Sequence, residues 1–112
     1  MEHFTSKCAG WVARTVILFV SLKAMAADYQ STIDALTRGL PIDVSEFIVR
    51  RVDCNHWAGE EPYDDERAKD IRDAMAKLGC QTIGQDDSAL RRVYAGNAKV
   101  LKALDDAQKL SF

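Results

Sequence analysis

Two cysteines constrain the fold of this 112-residue chain more than any other feature. Cys54 and Cys80 have suitable spacing for a crosslink, and in an oxidising compartment a cysteine pair in a small domain predicts a disulfide. Closing a loop of about 25 residues stabilises a fold by roughly 3 kcal/mol on chain-entropy grounds. Because cytosolic proteins rarely hold disulfides, this prediction depends on export of the chain.

The first quarter of the sequence has the organisation of a secretory signal. Lys7 and Arg14 form a positive lead, residues 15–22 are almost all apolar, and residues 24–26 (Ala-Met-Ala) are the small residues that a signal peptidase reads. The third cysteine of the chain lies ahead of the apolar run, which excludes it as a lipoprotein acylation site. We therefore predict a signal peptide over residues 1–26.

Cleavage there leaves one domain over residues 27–112, located in the periplasm. An uncleaved membrane anchor is the main alternative, although the roughly eight apolar residues between Arg14 and Lys23 fall well short of the roughly twenty that span a bilayer. A buried first helix over residues 13–25 is a second alternative. Contact with a membrane is expected only through the signal segment during export.

The charge of the remaining chain argues against nucleic acid as a partner. The leader holds three basic residues and one acidic residue, so residues 27–112 carry 12 basic and 16 acidic side chains, a net charge of −4. Binding to a phosphate backbone requires clustered Lys and Arg. No cofactor is predicted either, because no cofactor-binding motif is present.

Apolar residues recur with the 3.6-residue period of amphipathic helices, and no stretch alternates long enough to predict a strand. We predict an all-α fold, a small bundle of four to five short helices stapled by one disulfide. The expected inner faces are Tyr29, Ile33, Leu36 and Leu40; Val44, Phe47, Ile48 and Val52; Ala68, Ile71, Met75 and Leu78; Leu90, Val93 and Tyr94; and Val100, Leu101, Leu104 and Ala107.

Capping residues predict where these helices begin and end. Asp43 is expected to cap the second helix, with Ile42 and Phe47 forming a hydrophobic staple. The remaining signals, in chain order, are Gly39 with Pro41 after the first helix, Asp64 before the third, Gly79 after it, Asp86 or Asp87 before the fourth, and Gly96-Asn97 before the last.

The disulfide also predicts the path of the chain between the second and third helices. In a simple helical hairpin Cys54 would lie opposite residue 68, about 18 Å from Cys80, whereas the Cα atoms of a disulfide lie within about 7 Å. We therefore expect the second helix to fray near Cys54 and residues 55–63 to run back along the third helix. Trp57 and Tyr63 would hold this strap against the bundle.

Residues 54–64 (Cys-Asn-His-Trp-Ala-Gly-Glu-Glu-Pro-Tyr-Asp) form the segment richest in chemically active side chains. Aromatic anchors beside carboxylates suit a basic partner surface, so we predict a partner-binding surface of His56, Trp57, Glu60, Glu61 and Tyr63. The plainer interpretation is a turn and helix cap whose glutamates pair with a nearby arginine, Arg50, Arg51 or Arg67.

Chemical alternatives for this segment are weaker. His56 with Glu60 and Glu61 would make a metal site, but zinc sites use three or four ligands, and Cys54 is assigned to the disulfide. Adjacent glutamates rarely converge on one glycosidic bond, and the lone histidine of residues 27–112 has no separate nucleophile beside it. We therefore predict no metal site and no catalytic residues.

The segment resembles a group of small exported proteobacterial proteins that share a Cys-x-His-aromatic-x-Gly-Glu-Glu-Pro-Tyr-Asp signature, a following helix and a second cysteine. The matching residues are Cys54, His56, Trp57, Gly59, Glu60, Glu61, Pro62, Tyr63, Asp64 and Cys80. This resemblance implies no activity. In size, export, helicity and disulfide the chain is also similar in architecture to periplasmic immunity proteins that neutralise cell-wall amidases delivered by type VI secretion.

Taken together, these features predict a periplasmic protein-binding domain without catalysis of its own. A cell-wall hydrolase is one candidate partner, which would make the domain an inhibitor or immunity protein. A periplasmic metal-binding protein that uses His56 is the alternative.

Overall fold

The computed structural model of the protein describes residues 28–112, so the predicted signal peptide lies outside the described residues. This part of the chain is all-helical, as predicted. Helix α1 includes residues 28–37, and a short 3-10 turn covers Cys80–Thr82. The other helices are α2 at Ile42–Ala58, α3 at Asp65–Leu78, α4 at Ile83–Val93 and α5 at Ala98–Lys109.

Ile33–Phe112 form one compact unit. Within residues 28–112, none of the helices combines the length and the apolar character that crossing a membrane requires.

Helix α2 is central to the compact unit, because it contacts α3, α4 and α5. Its predicted inner face is buried, and Val44, Ile48 and Val52 are completely inaccessible to solvent. Val100 and Leu104 of α5 are buried as well. Fully burying a side chain of this size contributes about 1.5–3 kcal/mol, so the core of α2 and α5 supplies much of the stability.

Four predicted helix boundaries are confirmed. Gly39 and Gly79 have φ angles of 72° and 68°, a left-handed conformation that glycine adopts without the steric cost of a Cβ atom. At the start of α3, the side chain of Asp64 accepts a hydrogen bond of 2.7 Å from the backbone N–H of Arg67. Asn97 caps α5 in the same way, through a 3.1 Å bond from the Val100 N–H.

The predicted start of α2 is wrong by two residues. The helix begins at Ile42 after Pro41, so Asp43 lies inside the first turn. Ile42 is 75% exposed, so it forms no staple with Phe47. Proline needs no hydrogen bond for its own nitrogen and its φ suits this position, which lets the helix start earlier than the acidic signal suggests. The Asp43 carboxylate instead accepts a 2.9 Å hydrogen bond from the hydroxyl of Tyr94.

Helix α4 likewise starts earlier than predicted, at Ile83, and Val93 is 73% exposed instead of facing inward. Asp86 therefore lies in the first turn, where its carboxylate accepts hydrogen bonds from the guanidinium of Arg50 on α2 and from the hydroxyl of Thr82. The bond from Arg50, and to a lesser extent that from Thr82, holds the pKa of Asp86 below its ordinary value of 3.8. Asp86 thus links α4 to the central helix.

The disulfide between Cys54 and Cys80 is present, with the two Cα atoms 5.7 Å apart. The predicted strap is nevertheless wrong, because α2 continues as a regular helix through Ala58. The simple hairpin is excluded by the same geometry, since an antiparallel α3 would carry Cys80 far past Cys54. Helix α3 packs against α2 and is joined to Cys54 through Cys80, just past its C-terminal end.

Replacing both cysteines, Cys54→Ser with Cys80→Ser, should lower the free energy of unfolding by about 3 kcal/mol, because the unfolded chain regains the entropy that the crosslink removes. Urea denaturation of the wild type and the double variant measures this difference. As a control, a reductant should destabilise the wild type by a similar amount and leave the double variant unchanged. Equal denaturation midpoints would contradict the assignment.

The ion pair between α2 and α4 predicts a pH dependence. Since the pKa of Asp86 is lower in the folded than in the unfolded protein, its carboxylate stabilises the fold above the unfolded value of 3.8, and this contribution is lost as the pH falls through the folded value. Asp86→Asn should therefore be less stable than wild type at about pH 6, and the difference should be smaller at about pH 3. Urea unfolding at both pH values tests this, with Glu46→Gln as a matched control, and a constant difference would refute it.

Candidate functional site

The connection from α2 to α3 carries most of the predicted site. The helix ends at Gly59, whose N–H bonds to the carbonyl oxygens of Asn55 and His56, and the Glu60 N–H bonds to that of Trp57. Residues 61–63 have no regular secondary structure, and Asp64 then caps α3. The connection is therefore short and is closed by backbone hydrogen bonds at its start and a side-chain cap at its end.

Glu60 joins the two helices that flank this connection. One carboxylate oxygen lies 3.3 Å from Nε2 of His56, and the other accepts a 3.0 Å hydrogen bond from Nη2 of Arg67. The hydrogen bond that Arg67 donates to Glu60 raises the pKa of Arg67 above its ordinary value. This effect outweighs burial, which lowers the same pKa. Of the three arginines considered from the sequence, Arg67 is the one that pairs with Glu60.

Trp57 packs among these groups. Its ring meets the His56 ring edge to face, with centroids 5.7 Å apart, and the Arg67 guanidinium lies 5.4 Å from the Trp57 centroid. Cation–π contact of this kind favours a fixed position for both side chains. Three predicted site residues, His56, Trp57 and Glu60, are therefore brought together.

The other two predicted residues lie apart from this cluster. Tyr63 is 79% exposed, so the prediction that it holds the connection against the bundle is wrong. Glu61 is exposed as well.

Four exposed carboxylates crowd the start of α3. We call them the acidic tip, and they are Glu61, Asp64, Asp65 and Glu66. Asp65 and Glu66 lie in the first turn of α3, where the helix dipole stabilises negative charge. The same residues therefore stabilise the start of α3 and concentrate negative charge at this end of the molecule.

The predicted inner face of α3 is only half-buried. Ala68, Ile71, Met75 and Leu78 all remain partly accessible, and no residue of α3 is fully buried. A predominantly apolar cavity of about 390 Å³ opens along this face. Its lining residues are Trp57, Ala58, Glu60, Pro62, Ala68, Ile71, Arg72 and Met75.

A second cavity of about 470 Å³ continues along the same helix. It shares Arg72 and Met75 with the first and extends to Cys80 and Gln81. We call the two together the α3 groove. The sequence did not predict it, because a helical stripe does not reveal whether another element of the fold covers it.

Asn55 was not singled out from the sequence, although it is the best-connected side chain of the region. Its Nδ2 lies 3.0, 3.3 and 2.9 Å from the carbonyl oxygens of Ala107, Gln108 and Leu110. The ring nitrogen Nδ1 of His56 lies 2.7 Å from the main-chain oxygen of Phe112. Both side chains thus fasten residues 110–112 to α2. Their partners are more than fifty positions away, and no local pattern indicates such contacts.

Potential metal ligands are few around the cluster. Within residues 28–112 no group of three or more His, Cys, Asp and Glu side chains converges, so His56 and Glu60 stand as a pair. Both ring nitrogens of His56 lie close to oxygen atoms, Nδ1 to that of the Phe112 main chain and Nε2 to that of the Glu60 carboxylate.

Asn55→Ala should loosen the C-terminal residues, because the carbonyl oxygens at the end of α5 lose their shared donor. We expect a loss of about 1–2 kcal/mol in the free energy of unfolding and faster amide exchange at the end of α5. Hydrogen exchange followed by mass spectrometry measures the second effect. Gln108→Ala, an exposed position on α5, is the control. Unchanged exchange in the Asn55 variant would contradict this role.

Comparisons with protein-family models, with curated proteins and with solved structures found no match to this chain. The resemblance to exported proteobacterial proteins therefore stays a prediction. The function is inferred from the geometry of the site.

Proposed function

We propose that this protein is a non-catalytic protein-binding domain of the periplasm that docks a partner with a basic surface. The observation that carries the proposal is the acidic tip beside the exposed ring of Tyr63. Clustered carboxylates accelerate the approach of a basic partner, and an exposed aromatic side chain beside them supplies an anchor at low entropic cost.

The cluster behind this surface gives it a fixed shape. Glu60 and Arg67 tie the connection to α3, while Trp57 packs against both His56 and Arg67. A surface that is ordered before binding loses less conformational entropy when the partner docks. His56, Trp57 and Glu60 would therefore support the surface, and Glu61 and Tyr63 would make the direct contacts.

Inhibition of a cell-wall hydrolase is the form of binding that we favour. Export to the periplasm would place the domain where such enzymes act, and a small domain with a disulfide is suited to that compartment. The disulfide of the described chain supports this location, because a stable crosslink of this kind forms under oxidising conditions.

Exposed residues of the surface test the proposal, because their replacement leaves the core intact. Glu61→Lys and Tyr63→Ala should each abolish recovery of the partner when the tagged protein is isolated from periplasmic extract and bound proteins are identified by mass spectrometry. Glu46→Lys, the same charge change at an exposed position of α2, should retain it. Circular dichroism should show equal helicity in all variants.

Equal partner recovery with Glu61→Lys, Tyr63→Ala and Glu46→Lys would overturn the proposal. Activity of a cell-wall hydrolase recovered in this way, assayed with and without the domain, then distinguishes an inhibitor from a passive binder.

Metal binding is the second candidate, and the 3.3 Å approach of His56 Nε2 to Glu60 is the observation that favours it. The guanidinium of Arg67, bound to the other oxygen of Glu60, would place a positive charge close to a cation held there, which opposes metal binding. Calorimetric titration with Zn²⁺ decides between the candidates. Saturable heat that disappears in His56→Ala would establish a metal site, and its absence would leave the protein-binding proposal in place.

A further inference from the structure

We infer that the α3 groove receives an amphipathic helix of the protein partner, with basic residues at the end that lies against the acidic tip. This inference rests on the proposed function and names the chemistry of the partner segment. It starts from α3, a helix that has an apolar stripe but, like α4, no buried residue, whereas α2 and α5 bury several residues each.

The dimensions of the groove suit a short helix. Its lining begins at Ala68, about 15 Å before the end of α3 at Leu78 at 1.5 Å per residue, and continues past the helix to Cys80. A partner helix of about 10 residues matches the helical part in length. The two cavities share Arg72 and Met75, which favours one elongated occupant over two separate small molecules.

The side chains of the groove favour a helix over an extended strand. Ala68, Ile71, Arg72 and Met75 form ridges at spacings of three and four residues, and such ridges interlock with those of a second helix. An added strand would need the open edge of a sheet, and residues 28–112 contain no strand.

The charges give the occupant a direction. The acidic tip lies at the end where Pro62 lines the groove, so lysines or arginines of the occupant belong there. Arg72 lines both cavities, and an acidic or polar residue is expected halfway along the occupant. In an antiparallel pairing of α3 with α3 of a second copy, the last turn of the second helix would face the tip, and its one basic residue, Lys77, matches four carboxylates poorly.

Selection from a phage-displayed library of random 14-residue peptides on the full chain tests this inference. Enriched peptides should carry apolar residues at spacings of three and four, with basic residues clustered at one end. Selected peptides without either feature would overturn the inference, as would a failure to enrich any peptide.

Binding of the enriched peptides is then measured on variants. The fluorescence of Trp57 reports it directly in a Trp11→Phe background, since the chain has two tryptophans. Ile71→Asp and Met75→Asp should each weaken binding by about tenfold or more. Val93→Asp introduces the same charge at an exposed apolar position of α4 outside the groove and should bind as wild type. Met75→Leu, which keeps an apolar side chain, should retain binding even if an aspartate variant folds poorly.

The outcomes separate the two proposals. If Glu61→Lys loses the peptide but Ile71→Asp retains it, the acidic surface stands and the groove is overturned. If Ile71→Asp loses the peptide and Glu61→Lys retains it, the groove binds without the acidic tip, so both the direction inferred here and the basic partner of the proposed function are refuted. Sedimentation that shows a dimer broken by Met75→Asp would assign the groove to a second copy and overturn the inference.

Discussion

The link between Cys54 and Cys80 is the constraint on which the arrangement of α3 depends. With no fully buried side chain, α3 lacks the apolar burial that fixes α2 and α5 in the core. Its N-terminal end is attached through the pair of Glu60 with Arg67, and its C-terminal end through the disulfide. A partly exposed ion pair contributes little stability, so the covalent bond carries most of the restraint. The position of α3 against α2, and with it the groove, follows from this attachment.

Helix α2 connects the apolar core, helix α4 and the candidate site. One face is packed into the core with α5, Arg50 reaches the Asp86 carboxylate of α4, and the last turns carry the crosslink and the aromatic cluster. The residues that shape the candidate site are therefore mounted on the most deeply packed element. A surface supported in this way keeps its geometry when a partner binds.

The sequence predicted the helical class, the disulfide and the inner faces of α2 and α5, because periodic burial and cysteine chemistry are local signals. The sequence predicted Asp43 as the N-cap of α2, but Pro41 takes that position in the structure. The largest error concerned the path after Cys54. There the disulfide allowed α2 either to unwind near Cys54 or to continue as a regular helix, and only tertiary packing distinguishes the two. Asn55 donates hydrogen bonds to the end of α5, and the groove is left uncovered by other elements. Both features depend on contacts between distant residues, which one sequence does not reveal.

The absence of buried side chains from α3 also bears on how such a domain can change over evolutionary time. Positions inside a core admit few substitutions, since each must preserve volume and shape, whereas half-buried positions on a tethered helix admit many. New recognition properties can therefore arise on α3 while the rest of the scaffold stays the same. In a lineage that faces a succession of rival toxins or enzymes, that separation would let specificity diverge quickly without sacrificing the ability to fold.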